Sequence, residues 1–107
     1  MANGVLANVA LAATTYTSIY AVPADTFSVV TVSICNKNAT AIQVRLAIAV
    51  NPNIPAAGNY IEYNAEVLPG GVLERGGVVV QSGRTIYAYS TQANTDVVVY
   101  GIETSTV

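Results

Sequence analysis

From Ala41 to Val50 the chain alternates without a break. Ile42, Val44, Leu46, Ile48 and Val50 take one parity, and Ala41, Gln43, Arg45, Ala47 and Ala49 the other. A period of two over this length predicts a β-strand with one face inward. Its odd-numbered face is small and nearly uncharged, which leaves it open to close approach by another layer or subunit. Phe27–Asn36 alternates in the same way, with Ser28, Val30, Val32 and Ile34 set against Phe27, Val29, Thr31, Ser33 and Cys35. Thr14–Val22 precedes it across Pro23-Ala24-Asp25, where proline presets φ and Asp25 can bond nearby backbone.

Asn36-Lys37-Asn38 reads as the next turn, because asparagine tolerates left-handed φ. Asn51–Gly58 holds two prolines, which deny it regular pairing. Tyr60–Tyr63 is a short strand, and Leu68-Pro69-Gly70-Gly71 a turn. Val72–Val80 follows, with Gly76-Gly77 marking a bulge or tight bend. Ser82-Gly83 turns into Arg84–Ser90. Asp96–Glu103 is the last strand, and Thr104–Val107 a polar tail. With a first strand near Val5–Ala12, the count is about eight. The predicted fold is all-β: one β-sandwich domain over 1–107, antiparallel, jelly-roll or Greek-key-like. Residues 1–13 are expected to be either an edge strand of that domain or an N-terminal arm.

Composition changes the picture in one respect. Only ten of 107 residues are Lys, Arg, Asp or Glu, which is 9% against roughly 25% in ordinary domains. Surface scaling for this length gives about one charge per 560 Å². So sparse a charge protects a monomer poorly against self-association. Part of the surface is therefore expected to be covered, in a homo-oligomer such as a trimer or in a larger assembly. Net charge is −2, and the four cations form no run, so no nucleic-acid partner is expected. Val5–Ala13 is apolar but too short to span a bilayer and is preceded by no cation, so neither a signal peptide nor a membrane partner is expected.

Candidate chemistry is thin. There is no histidine, which removes the commonest general base. Cys35, in an apolar strand, reads as a structural thiol rather than a nucleophile. Glu62, Glu66 and Glu74 are the only carboxylates close enough in sequence for acid–base work, and they read as rim charges and surface ion pairs. Asn51, Asn53, Asn59 and Asp25 lack the carboxylate cluster calcium prefers. The Gly-Gly pairs lack the Lys-Ser/Thr of a phosphate loop. No catalytic residue, cofactor or metal is expected. Asn38-Ala39-Thr40 fits a glycosylation sequon, a short pattern that is common by chance.

The tyrosines are more informative. Tyr16 and Tyr20 are placed on one face of their strand, and Tyr87 and Tyr89 on one face of theirs, with Ile86 and Ala88 inward. Tyr87 and Tyr89 read equally as sheet-face packing and as protein contact. Two further interface candidates are the uncharged segment Ala2–Ala10, with Ala2, Asn3, Val5 and Leu6, and the long loop, with Asn51, Asn53 and Ile54. The first could add a strand to a neighbour, although an internal edge strand is the favoured reading. The second is long for so small a domain.

Several segments, in order, resemble small structural proteins of phages and prophages. Thr14-Thr15-Tyr16 with Ile19-Tyr20-Ala21-Val22-Pro23-Ala24 is similar to their opening strand and turn. Ile34-Cys35-Asn36-Lys37-Asn38, Arg45-Leu46-Ala47-Ile48, Tyr60-Ile61-Glu62-Tyr63, Leu73-Glu74-Arg75-Gly76-Gly77 and Val99-Tyr100-Gly101-Ile102-Glu103 follow in the order of that family. Ala21 and Lys37 depart mildly from its pattern. The resemblance implies a virion component. Its expected role is capsid decoration (cement), with the major capsid protein and copies of itself as partners. A tail, baseplate or fibre part among tail proteins is the alternative, and a small carbohydrate-binding β-sandwich another.

Overall fold

The computed structural model describes residues 2–50 and 54–107. They form eight strands: β1 (Asn3–Leu11), β2 (Thr17–Ala21), β3 (Thr26–Asn36), β4 (Ile42–Val50), β5 (Tyr60–Val67), β6 (Val72–Gln81), β7 (Arg84–Ser90) and β8 (Thr95–Ser105). One four-stranded sheet has the order β1-β8-β3-β6 and the other β2-β7-β4-β5. Every pairing is antiparallel. Successive strands from β1 to β4 change sheets, and β5 to β8 return to pair with them from the outside in. This is the strand order of a double-sheet jelly roll, so the predicted all-β sandwich is what the chain forms. No helix among the described residues is long and apolar enough to cross a membrane.

The core lies between the sheets, and the alternation seen in the sequence builds it. Ser28, Val30, Val32 and Ile34 of β3 are buried, while Phe27, Val29, Thr31, Ser33 and Cys35 are half-buried on the outer face. Cys35 is thus an outer-face residue rather than a core thiol. Ile42, Val44 and Leu46 of β4 are buried as predicted and Ile48 is half-buried, but Val50 is exposed, and Ala47 and Ala49 are buried instead. These two pair with Tyr87 and Thr85 and lie outside the core cluster. The small odd-numbered face is therefore already covered at this end within the chain itself.

The turns work as their residues require. Gly70 follows Pro69 with φ 70°, and the Gly71 amide donates to the Leu68 carbonyl at 2.8 Å, a proline–glycine turn in which glycine carries the positive φ. Asn36 is fully buried. Its Nδ2 donates to the carbonyls of Thr40, Val67 and Leu68, and its Oδ1 accepts from Asn38 N and Nδ2. One side chain thus ties the β3–β4 turn to the end of β5. Gly76-Gly77 is the expected bulge: the β3–β6 register shifts between Val30 and Val32.

The N-terminal segment is an edge strand, not an arm. β1 pairs with β8 from Asn3↔Ile102 to Leu11↔Thr95. Leu11 is buried, and Leu6, Ala7 and Val9 pack on the core. The shift between Val5 and Ala7 turns Leu6 inward and leaves Val5 outside. The tail is also shorter than predicted, since β8 runs to Ser105.

Candidate functional site

The densest group of functional side chains lies on the outer face of the β2-β7-β4-β5 sheet. Regular alternation places Arg45 beside Tyr89, its partner across β4 and β7. One irregularity and one residue outside the strands deliver the rest. The β4–β5 register shifts between Val44 and Leu46, where Asn64 takes φ 54°. The resulting bulge brings Tyr63 onto the face of Tyr60, three residues away, although strict alternation would separate them. The two rings meet edge to face at 4.9 Å between centroids. Tyr16, just before β2, completes the group, 5.0 Å from Tyr89 and 6.4 Å from Tyr60.

Arg45 sits among these rings. Its guanidinium carbon is 4.3 Å from the centroid of Tyr63, 4.6 Å from Tyr89 and 6.0 Å from Tyr16, within cation–π range. Nε donates to Asn64 Oδ1 at 2.8 Å and Nη1 to the Tyr16 oxygen at 2.9 Å. Tyr16 also shares a short hydrogen bond with Tyr60. Burial pushes the Tyr16 phenol up, but the bonds to Tyr60 and Arg45 and the Arg45 charge outweigh it and bring it below its ordinary value. Tyr60 moves the other way: its bond to Tyr16, with burial second, pushes it to about 12. The group is an aromatic platform around one cation. Among the described residues, Lys37 pairs with Asp96 and Arg75 with Glu62, whereas no carboxylate pairs with Arg45.

A second network closes the sandwich near the chain ends. Tyr20 is buried, and its hydroxyl donates to Glu103 Oε2 and lies 2.6 Å from Ser28 Oγ. Glu103 Oε1 accepts from the Ala2 backbone N–H at 2.9 Å. The Tyr20 donor, then the Ala2 amide, hold the Glu103 carboxyl below its ordinary value. Burial, then the bond to Glu103, push Tyr20 up to about 12. The expectation that Tyr16 and Tyr20 share a face is therefore wrong. The β2–β7 register shifts between Ser18 and Tyr20, so Tyr20 turns into the core while Tyr16 stays outside.

The remaining predicted residues do not form one site. Tyr87 and Tyr89 are half-buried on the outer face, with Ile86 and Ala88 fully buried as expected. Ala2, Asn3 and Val5 are exposed on the edge of the other sheet, and Leu6 is half-buried against the core. Ile54 is exposed, while Asn51 and Asn53 lie outside the described residues. The three carboxylates hold separate positions. Glu62 bridges to Arg75, and so links β5 to β6 across the open side of the sandwich. Glu74 accepts from the Tyr100 hydroxyl, and Glu66 stands beside Gln43. No group of three potential metal ligands occurs among the described residues.

Sequence reasoning missed Arg45, Tyr16, Tyr60, Tyr63 and Asn64 as one cluster. The signal it could have used is Asn64, a residue that tolerates left-handed φ, one position after Tyr63. No protein-family model matches the chain, and no curated protein matches it either.

Proposed function

We propose that this protein is a bacteriophage virion component, a capsid decoration (cement) protein that binds the shell of the major capsid protein and stabilises it. The observation that carries the reading is a complete jelly roll built on a chain with so few charges. Jelly rolls serve in viral capsids, in lectins and in cupins. The fold alone does not choose among these; side-chain chemistry favours the first. A cupin-type metal centre draws on histidine, and the chain has none. A lectin presents open aromatic faces, whereas here Arg45 lies over Tyr63 and Tyr89. Tyrosine and arginine held rigidly on a sheet face are the residue types that carry protein–protein binding energy. The ordered resemblance to phage structural proteins adds support.

In this reading the tyrosine–arginine face seats on the shell. Many copies, each weakly bound, hold the lattice together through multivalency. Preferential binding to the intact lattice then stabilises it by mass action. Gold-tagged antibody on intact virions from the source is the test. Gold over the head supports decoration. Gold confined to the tail moves the protein to a tail, baseplate or fibre role. No gold, with the epitope shown to be accessible, removes the virion reading.

A further inference from the structure

The outer face of the β1-β8-β3-β6 sheet differs in kind from the tyrosine face. The register aligns Ile102, Val29 and Val79 in one row across β8, β3 and β6, and Val5 beside Tyr100. Val5 is 64% exposed, Val79 63% and Ile102 51%, with Val72 and Tyr100 exposed as well. The half-buried members of the face are mostly short: Val29, Thr31, Ser33, Val98. Its acidic members are Asp96, paired with Lys37, and Glu74, which lies on edge strand β6 and accepts from Tyr100.

We propose that this face is covered by the same face of a second copy, in a two-fold dimer that stacks sheet on sheet. The area fits. The eleven residues of β3 and β8 extend about 36 Å, and four strands span about 19 Å. Each copy then buries roughly 700 Å², and the pair about 1,400 Å², within the range of stable interfaces. The shape fits as well. Short, branched side chains on a sheet face pack against a like face at about 10 Å, as in any sandwich. A two-fold contact needs one patch that complements itself, and a row of valine and isoleucine meets that need. The opposite face does not, because it carries a cation at its centre that self-stacking would oppose to its own copy. The dimer does not rest on the virion reading, and it leaves both tyrosine faces free.

Sedimentation equilibrium on the full chain tests it, with Val79→Lys, Ile102→Lys and the turn variant Leu68→Lys. Val79 and Ile102 are already largely exposed, so folding should tolerate the changes; far-UV circular dichroism checks this, and Val79→Thr is the milder substitute. The expected result is twice the 11.1 kDa chain mass for the native protein and Leu68→Lys, and the single-chain mass for both face variants. A native monomer, a trimer, or a dimer unmoved by the face variants would each overturn the proposal. The gold-labelling result has no bearing on it, so the two readings fail separately.

Discussion

Two single residues carry more of this fold than their size implies. A Cβ built on Gly101 would stand 2.1 Å from the Val29 carbonyl oxygen and 2.8 Å from Val30 Cα. Those atoms belong to the neighbouring strand backbone, which cannot give way without breaking the β3–β8 ladder. Gly101→Ala should therefore cost at least about 2 kcal/mol. Gly76→Ala, whose new Cβ meets only Thr31 Oγ1 at 3.6 Å, should stay within about 0.5 kcal/mol. Urea unfolding of the pair checks the contrast. Tyr20 is the second. Its folded value of about 12 lies above the unfolded value of about 10. Its contribution is therefore complete below pH 10 and is lost as pH rises from 10 through 12. Glu103 is held low, so its contribution is present above its unfolded value and is lost as acid carries it through its folded one. Tyr20→Phe removes the donor to Glu103 and leaves the buried Ser28 hydroxyl unpartnered, at about 1–3 kcal/mol near neutrality. Melting temperature against pH should fall less steeply on both limbs in this variant. An unchanged profile would mean that the network adds no pH-dependent stability.

At the scale of elements, the bulges matter more than the regular strands. Shifts in β2 and β5 decide which tyrosines face the core and which gather around Arg45. The shift in β1 sends Leu6 inward. β1 is also the element whose role is easiest to misjudge, because an uncharged terminal segment looks expendable. Here it covers β8, the strand that holds Val97 and Val99 in the core. Removing residues 2–10 should therefore abolish cooperative unfolding of the domain rather than only its assembly, since β8 loses its ladder on one side and Leu6, Ala7 and Val9 leave the core edge. Circular dichroism melts of the truncated chain check this. A sharp transition with near-native midpoint would restore the arm interpretation.

Across the whole molecule the chain ends close the fold. β1 pairs with β8 and β2 with β7, so most contacts join residues far apart in sequence and the sandwich forms as one unit. Closure leaves two outer faces of opposite character. One is aromatic around a guanidinium, and the other carries a row of valine and isoleucine. A second copy of the chain is proposed for one of these faces and a foreign protein for the other. Covering the valine–isoleucine face would lose little ionic hydration, whereas covering the tyrosine face would desolvate Arg45.

By itself the sequence determined the strands, the turns between them and the inward parities of β3, β7 and the first half of β4. Those depend on local chemistry: alternation sets a face, and proline, glycine and asparagine set the reversals. Thus β3, β7 and the first half of β4 were legible nearly residue by residue, as was the Gly76-Gly77 bulge. Tertiary structure alone decided the strand order, the place of β1 and the membership of the tyrosine–arginine group. Register shifts in β1, β2 and β5 change parity by a single residue, and nothing in a period-two pattern marks where they fall. They form where a neighbouring strand, distant in sequence, requires its hydrogen bonds to realign. Tyr20 and Tyr63 were misplaced or left ungrouped for that reason, and Arg45 acquired its setting only when two other strands and the segment before β2 brought their rings to it.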